Sequence, residues 1–311
     1  MKDGVLVIDK PEGMSSTKAV EQVKKKLRVR KAGHGGTLDP FATGVLPVCL
    51  GRGTKIAQFI LEGDKEYEGL MELGLETDTY DATGEVVARH EVPADLTIED
   101  LQRVFDEFVG VLAQAPPAFS AAKLHGRPLY KYAREGLKIE KPPKRVEILA
   151  FEALKYEPPY VHFRVYCSKG TYLRSLVHEV GQKLGCGAVL TKLRRLKKGP
   201  FVLEQALTLK ELEEKIKEGS IEEYIIPSEE ALSFIPSITV GEELAKKIRQ
   251  GRPLTLASLA NMIRLQKVSQ KPRVPWLRLL TSEGELVAVV EYPKDLNASG
   301  QAKMVRVFNK V

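Results

Sequence analysis

Along the chain the apolar positions switch between runs, period-two alternation and helical spacing. Residues 5–8 are a short apolar run that predicts a buried strand. Lys10-Pro11-Glu12-Gly13 then turns the chain, because proline fixes φ and glycine permits positive φ. Ser15 or Ser16 can cap a helix that carries Val20, Val23 and Leu27 on one face. Residues 45–50 read as a strand, 65–73 alternate and include Tyr67, and 85–90 form another strand. Thr97 and Asp100 frame a capping box for a helix reaching Phe108. Two more strands are predicted over 146–156 and 161–167. In the second, Val161, Phe163, Val165 and Cys167 alternate with His162, Arg164 and Tyr166. Residues 171–184 read as a helix and 208–218 as a charged, solvated one. After Pro227 and Pro236 the pattern becomes one helix over 241–250 and short strands at 277–280, 286–292 and 304–308. That change places a domain boundary near residue 237, and 311 residues suit two domains.

Charge sharpens this picture. The chain carries +7 overall, but residues 1–61 hold +6, 62–107 hold −12, 108–203 hold +12, 204–236 hold −6 and 237–311 hold +7. Basic segments gathered on one face would attract a polyanion, nucleic acid first among them; scattered surface lysine is the plainer alternative. Between 115 and 144 regular pattern fades. There Lys123, Arg127, Lys131, Arg134 and Lys138 interleave with His125, Tyr130 and Tyr132, a mixture suited to phosphates and unstacked bases. Cys49, Cys167 and Cys186 form no C-x-x-C pair, so no disulfide framework or zinc cluster is expected. The amino terminus lacks a secretory pattern, and no stretch has the length of a membrane helix. The expectation is a soluble, cytoplasmic protein.

Three segments carry candidate chemistry. Residues 33–46, Gly-His-Gly-Gly-Thr-Leu-Asp-Pro-Phe-Ala-Thr-Gly-Val-Leu, predict a tightly bent backbone around Asp39. A carboxylate on such a loop can be a nucleophile or general base, or simply close an Asx turn on its own backbone. His34 can act in acid–base work, stack on a base, or be structural. In Ser168-Lys169-Gly170-Thr171-Tyr172-Leu173-Arg174, a strand meets a helix. There Tyr172 and Arg174 can face a nucleotide and its phosphate, or Arg174 can pair with a carboxylate. In residues 190–199, Lys192, Arg194, Arg195, Lys197 and Lys198 crowd together, which implies phosphate contact, with a solvated edge strand as the alternative. No nucleotide-cofactor fingerprint or metal-ligand spacing is present.

Taken in order, these motifs resemble those of TruB-type pseudouridine synthases. The resemblance rests on Asp9-Lys10-Pro11-Glu12-Gly13-Met14-Ser15-Ser16, the Gly33–Pro40 segment, Lys65-Glu66-Tyr67, Gly170 to Leu176, and Leu193-Arg194-Arg195. It spans roughly residues 4–200. It implies isomerisation of a T-loop uridine of tRNA, position 55, to pseudouridine without a cofactor. Asp39 then matches the essential aspartate, Tyr67 the tyrosine stacked on the target base, and Arg174 the arginine paired with that aspartate. Tyr172 and Leu193 match pocket-lining residues, His34 the histidine that holds flipped T-loop bases, and Lys10 with Pro11 a support for the active-site loop. The segment from Ala118 to Lys123, with 126–133, resembles the inserted thumb of the stand-alone enzymes, so no guide RNA is expected, and the partner is the T stem-loop of tRNA. The implied fold is α+β: a mixed, largely antiparallel sheet flanked by helices over 1–236, with a thumb at about 115–145. Residues 237–311 resemble, loosely, a small β-rich PUA-like RNA-binding domain. A monomer is expected. A non-catalytic tRNA-binding protein on the same scaffold and a guide-dependent synthase are the competing readings.

Overall fold

Alternating strands and well-capped helices build one large sheet, with its apolar faces covered by helices and a second, smaller sheet. The computed structural model describes residues 3–137, 139, 141–268 and 274–309. Lys138, one of the interleaved basic residues above, lies outside the described residues.

Strand β1 (Gly4–Lys10) is buried along nearly its whole length. Helix α1 (Ser16–Leu27) follows, with Ser15 accepting from the Lys18 N–H and Ala19, Val20 and Val23 buried. β2 (Ala32–His34) and β3 (Thr43–Leu50) flank the glycine-rich loop. After the short α2 (Ala57–Ile60) comes β4 (Lys65–Leu73). A ribbon of β5 (Leu75–Thr77) and β6 (Val86–Arg89) leads to α3 (Ile98–Asp106), which the Thr97–Asp100 capping box opens. β7 (Gly110–Gln114) runs into an excursion holding the hairpin β8 (Lys123–Leu124) and β9 (Arg127–Pro128) and the short α4 (Leu129–Ala133). β10 (Lys144–Glu157), β11 (Tyr160–Cys167), α5 (Leu173–Leu184), β12 (Ala188–Lys198) and β13 (Phe201–Val202) complete the main sheet. α6 (Leu209–Glu218) and α7 (Ser228–Ala231) cross back over it.

Among the described residues the main sheet has nine strands, ordered β1-β3-β12-β4-β11-β10-β7, with β2 added to β3 and β13 to β12. Neighbours are antiparallel except β3 and β12, which run parallel where Arg194 faces Thr43 and Arg195 faces Gly44. That crossing brings the Asp39 loop and the basic 190–199 segment together at mid-sheet. The basic segment is therefore a central strand and not a solvated edge, and two of its five cations are turned inward, away from any phosphate. Arg195 and Lys198 are fully buried, and Arg194 pairs with Asp9 at 2.6 Å. The reason is local: carbonyls of the adjoining loops supply acceptors that the sequence pattern does not reveal.

One apolar layer lies between the sheet and α3 and α5, with Phe105 stacked on Phe151 at 3.8 Å between ring centroids. Burying each such ring contributes about 1.5–3 kcal/mol. On another part of the sheet, α1 and α6 cover Leu6, Ile8, Leu46 and Val48.

The carboxy-terminal sheet starts with β14 (Ser237–Thr239). α8 (Glu242–Arg249) and α9 (Leu256–Leu265) precede β15 (Trp276–Leu280), β16 (Leu286–Glu291) and β17 (Met304–Val307). The sequence pattern anticipates one helix here. The second, α9, is capped by Thr255 and buries Leu259, Ala260 and Ile263. This sheet joins the larger one through Val5, Val45, Phe59, Trp276 and Val289 in a shared core. The edge of one ring in the Phe59–Trp276 pair meets the other's face at 4.8 Å. Arg278 fastens the junction by donating to the Ile235 and Glu229 carbonyls at 2.8 and 2.6 Å. Among the described residues no helix is long and apolar enough to cross a membrane.

Candidate active site

The Asp39 loop is held from below by groups that satisfy its backbone. Ser16 is buried; its Oγ accepts from the Leu38 N–H at 2.8 Å and donates to the Leu38 carbonyl at 3.0 Å. The Lys10 ammonium is also buried and donates to the carbonyls of Pro11, Met14 and Pro40 at 2.8, 2.6 and 3.1 Å. Three N–H bonds meet three acceptors, the full donor capacity of a charged lysine. Burial pulls its pKa down to about 8 against the opposing charge of Asp39. Arg195 donates to the carbonyls of Val45, Thr37 and Gly36 at 2.7, 3.2 and 3.2 Å. At Gly44, φ is +98° and an added Cβ would lie 2.2 Å from the Arg195 carbonyl, so only glycine allows the loop to approach β12 this closely.

Held in this way, Asp39 faces a cavity of about 410 Å³. Tyr67, Tyr172, Arg174 and Leu193 line the same cavity. Its size falls in the range of small-ligand sites. The Asp39 carboxylate accepts from Arg174 Nε at 3.0 Å, which answers the question left open by the sequence: it bonds an arginine, not its own backbone. Arg174 is almost wholly buried at the first turn of α5. Its other N–H groups reach the Thr79 carbonyl at 3.0 Å and the Phe119 carbonyl at 2.9 Å. A second carboxylate, Asp81, lies 3.4 Å from Nη1. A guanidinium with so many acceptors is held by all of them at once, so it aims the carboxylate.

Two contributors escaped sequence reasoning. Asp81 is buried and holds Thr79 and Thr83 through its Oδ1. The run Thr77-Asp78-Thr79-Tyr80-Asp81-Ala82-Thr83, dense in hydroxyl and carboxyl groups, was the available signal. Gln114, also buried, accepts from the Tyr172 N–H at 2.8 Å and donates to the Tyr172 carbonyl at 3.2 Å. It thereby fixes the tyrosine's backbone from the end of β7, and a lone glutamine before two prolines announces nothing of this. Burial pushes the Tyr172 phenol upward.

Lys10 supports the loop from beneath and does not line the cavity. His34 ends β2, opposite Val48, and also lies outside the lining. Burial, then the charge of Arg195, lowers its pKa, which favours a neutral imidazole suited to stacking. Lys198, which the sequence grouped with the phosphate-contact segment and not with the pocket, does line the cavity. It donates to the Leu61 and Gly63 carbonyls at 3.0 and 2.6 Å. Burial, with the charges of Lys65 and Arg195, pulls it down to about 6. In the 115–143 excursion the rings are already covered by cations: Arg127 lies over Tyr132 and Arg134 over Tyr130, at 4.6 and 5.4 Å. Among the described residues no group of three or more His, Cys, Asp or Glu side chains could hold a metal ion.

This fold and this pocket define a class. The family model described as the TruB family pseudouridylate synthase N-terminal domain matches residues 24–173, and that of the tRNA pseudouridylate synthase B C-terminal domain matches 174–233. The chain belongs to the TruB family of pseudouridylate synthases. Among its relatives, tRNA pseudouridine synthase B of Pseudomonas paraeruginosa is 41% identical over 295 residues, covering 94% of this chain and 92% of the relative. That of Syntrophotalea carbinolica is 39% identical over 309 residues, covering 99% and 98%. Among solved structures, a chain of a Cbf5-Nop10-Gar1 complex superposes with a TM-score of 0.75 at 30% identity, over 98% of this chain and 84% of the other. One in an H/ACA RNP bound to a substrate RNA containing 2'-deoxyuridine gives 0.71 at 29%, over 99% and 85%.

Proposed function

We propose that this enzyme converts the uridine at position 55, in the T loop of tRNA, to pseudouridine. Its relatives named tRNA pseudouridine synthase B support tRNA as the substrate. The observation that carries the site assignment is the Asp39–Arg174 contact at 3.0 Å on the floor of a pocket walled by Tyr67, Tyr172 and Leu193.

The reaction breaks N1–C1′, turns the uracil, joins C5 to C1′ and releases the C5 proton to water. It is redox-neutral and needs no energy input, so no cofactor is called for. Attack on C1′, attack on C6 and removal of a C2′ proton all require a carboxylate held in place, and Arg174 holds it. The target base leaves the folded loop to reach Asp39. Tyr67 stacks on it, and Tyr172 and Leu193 bound its pocket. His34 helps hold the flipped T-loop bases, and Lys10 carries the loop.

Residues 1–236 form the catalytic domain, with 115–145 as the thumb that closes on the T stem-loop. Residues 237–311 form a PUA-like RNA-binding domain. The enzyme acts as a cytoplasmic monomer without guide RNA. The test is tritium release from a T-arm transcript labelled at uridine C5, with no partner protein added. Wild type releases tritium, and Asp39→Asn, still binding RNA, loses at least about 10⁴-fold in rate, the scale seen for removal of a reacting group. Full activity of Asp39→Asn refutes its role. Binding without release by the wild type favours an RNA-binding protein or a guide-dependent enzyme.

A further inference from the structure

Helices α1, α5 and α6 each end on a residue in the left-handed conformation. Gly185 closes α5 at φ 76° and Gly219 closes α6 at φ 74°, as expected of the residue with no Cβ to clash. α1 is closed by Arg28, at φ 53° and ψ 34°. Its N–H reaches the Lys24 and Lys25 carbonyls, so the cap itself is ordinary and only the side chain carries a cost. Arg28 is exposed, and packing does not call for it. A strained residue without a packing reason points to a use for its side chain.

Its surroundings say what use. Lys24, Lys25, Lys26, Arg28, Arg30 and Lys31 are six cations in eight residues, with no acid among them. Lys26 pairs with Glu213 of α6. Among the described residues no acid pairs with the other five, although α6 packs beside α1 and is rich in glutamate. The helix dipole accounts for the lysines of the last turn, but not for Arg28, Arg30 and Lys31 beyond it. The ridge is also well placed. The first residue of α1, Ser16, bonds Leu38 beside Asp39, so at 1.5 Å per residue the ridge begins about 12 Å from the catalytic loop. Lys31 leads directly into β2 and His34.

We propose that this ridge is a second contact surface for the tRNA, binding its backbone phosphates beside the target loop, with Arg28 held at the cap as a fixed fork. This rests on the tRNA reading above. Arginine suits the task because its planar donors match phosphate oxygens.

The test measures binding of a tRNA transcript across a salt series, and thermal unfolding, for four proteins. They are wild type, Arg28→Gly, Lys25→Glu/Arg30→Glu, and the charge-matched control Lys210→Glu/Lys217→Glu on α6. Arg28→Gly is expected to raise Tm by about 2 °C through relief of strain, yet to bind tRNA about threefold more weakly for want of a phosphate contact. The double ridge variant should bind about tenfold more weakly or worse, with a log–log salt slope shallower by about two. The control should do neither. Arg28→Gly binding as tightly as wild type, or melting lower, overturns the proposal. So does a control that weakens binding as much as the ridge variant, which would make the effect one of net charge. Pseudouridine formation by the wild type is followed in parallel. Its absence with tRNA binding intact refutes the catalytic reading and leaves the ridge result standing, so the two failures are distinguishable.

Discussion

The Asp39 loop and the 115–143 excursion both border the pocket, and they are held in opposite ways. The loop's carbonyls are taken up by side chains that never see water: Lys10, Ser16 and Arg195. The excursion's cations turn on themselves at the surface, where Arg127 pairs with Glu135 and covers Tyr132, and Arg134 covers Tyr130. Of its own side chains only Pro117, Ser120 and Leu129 are buried among the described residues. The difference suits the work proposed above for each. A carboxylate that must meet a reacting atom is useful only if it is fixed in advance. A segment that grips a large flexible polymer must open and close, and local contacts of low net worth let it do so.

The largest blow to this contrast should come from Arg195→Met. It strips three carbonyls of their donor, and those of Gly36 and Val45 are buried, at about 1–3 kcal/mol for each buried group left unsatisfied. We expect Tm to fall by about 8 °C or more and tritium release to fall at least about 10²-fold as Asp39 loses its footing. A lowered Tm with an unchanged rate would show that the loop does not depend on Arg195. The excursion should answer differently. Arg127→Ala with Arg134→Ala should raise KM for tRNA about tenfold, through lost phosphate contacts. Tm should move by about 1 °C or less, since the pairs removed are exposed. A Tm drop as large as that of Arg195→Met would erase the contrast. The smallest effect is one of pH. Lys10 loses its proton as pH rises through about 8, and a neutral amine has two N–H bonds for three carbonyls. Turnover should therefore decline a few-fold above pH 8, about the cost of one weakened hydrogen bond. Stability should not follow through this group. Its folded pKa lies below the unfolded 10.5, so between those values the unfolded chain binds the extra proton and folding gains as pH rises. A rate profile flat from pH 7 to 9 would remove Lys10 from the loop's control.

Much of the frame was legible residue by residue. The capping residues Ser15 and Thr97 announced α1 and α3, because caps depend only on neighbours in sequence. The alternation from Val161 to Cys167 announced β11. The helix α9 did not stand out, since Leu-Ala-Ser-Leu-Ala-Asn-Met-Ile follows a proline and is apolar on most sides. Two cations of the basic run on β12 were misread for a deeper reason. Whether Arg195 and Lys198 face phosphate or protein depends on the carbonyls of Gly36, Thr37, Leu61 and Gly63. Those lie more than a hundred residues away in sequence, and no periodicity reports on them. Asp81 and Gln114 were hidden likewise, each meeting its partner only across the finished sheet.

One bond already described makes the two regions a single device. Arg174 holds Asp39 with its Nε and the Phe119 carbonyl, at the root of the excursion, with its Nη2. The two ends share one rigid planar group. Whatever shifts the backbone at Phe119 must therefore either break that bond or turn the plane that aims the carboxylate. On the function proposed above, and in the language of linkage, RNA grip and carboxylate orientation are coupled equilibria, and the coupling acts equally in both directions. An enzyme wired in this way can sense at its reacting atom whether the polymer outside has been properly seized.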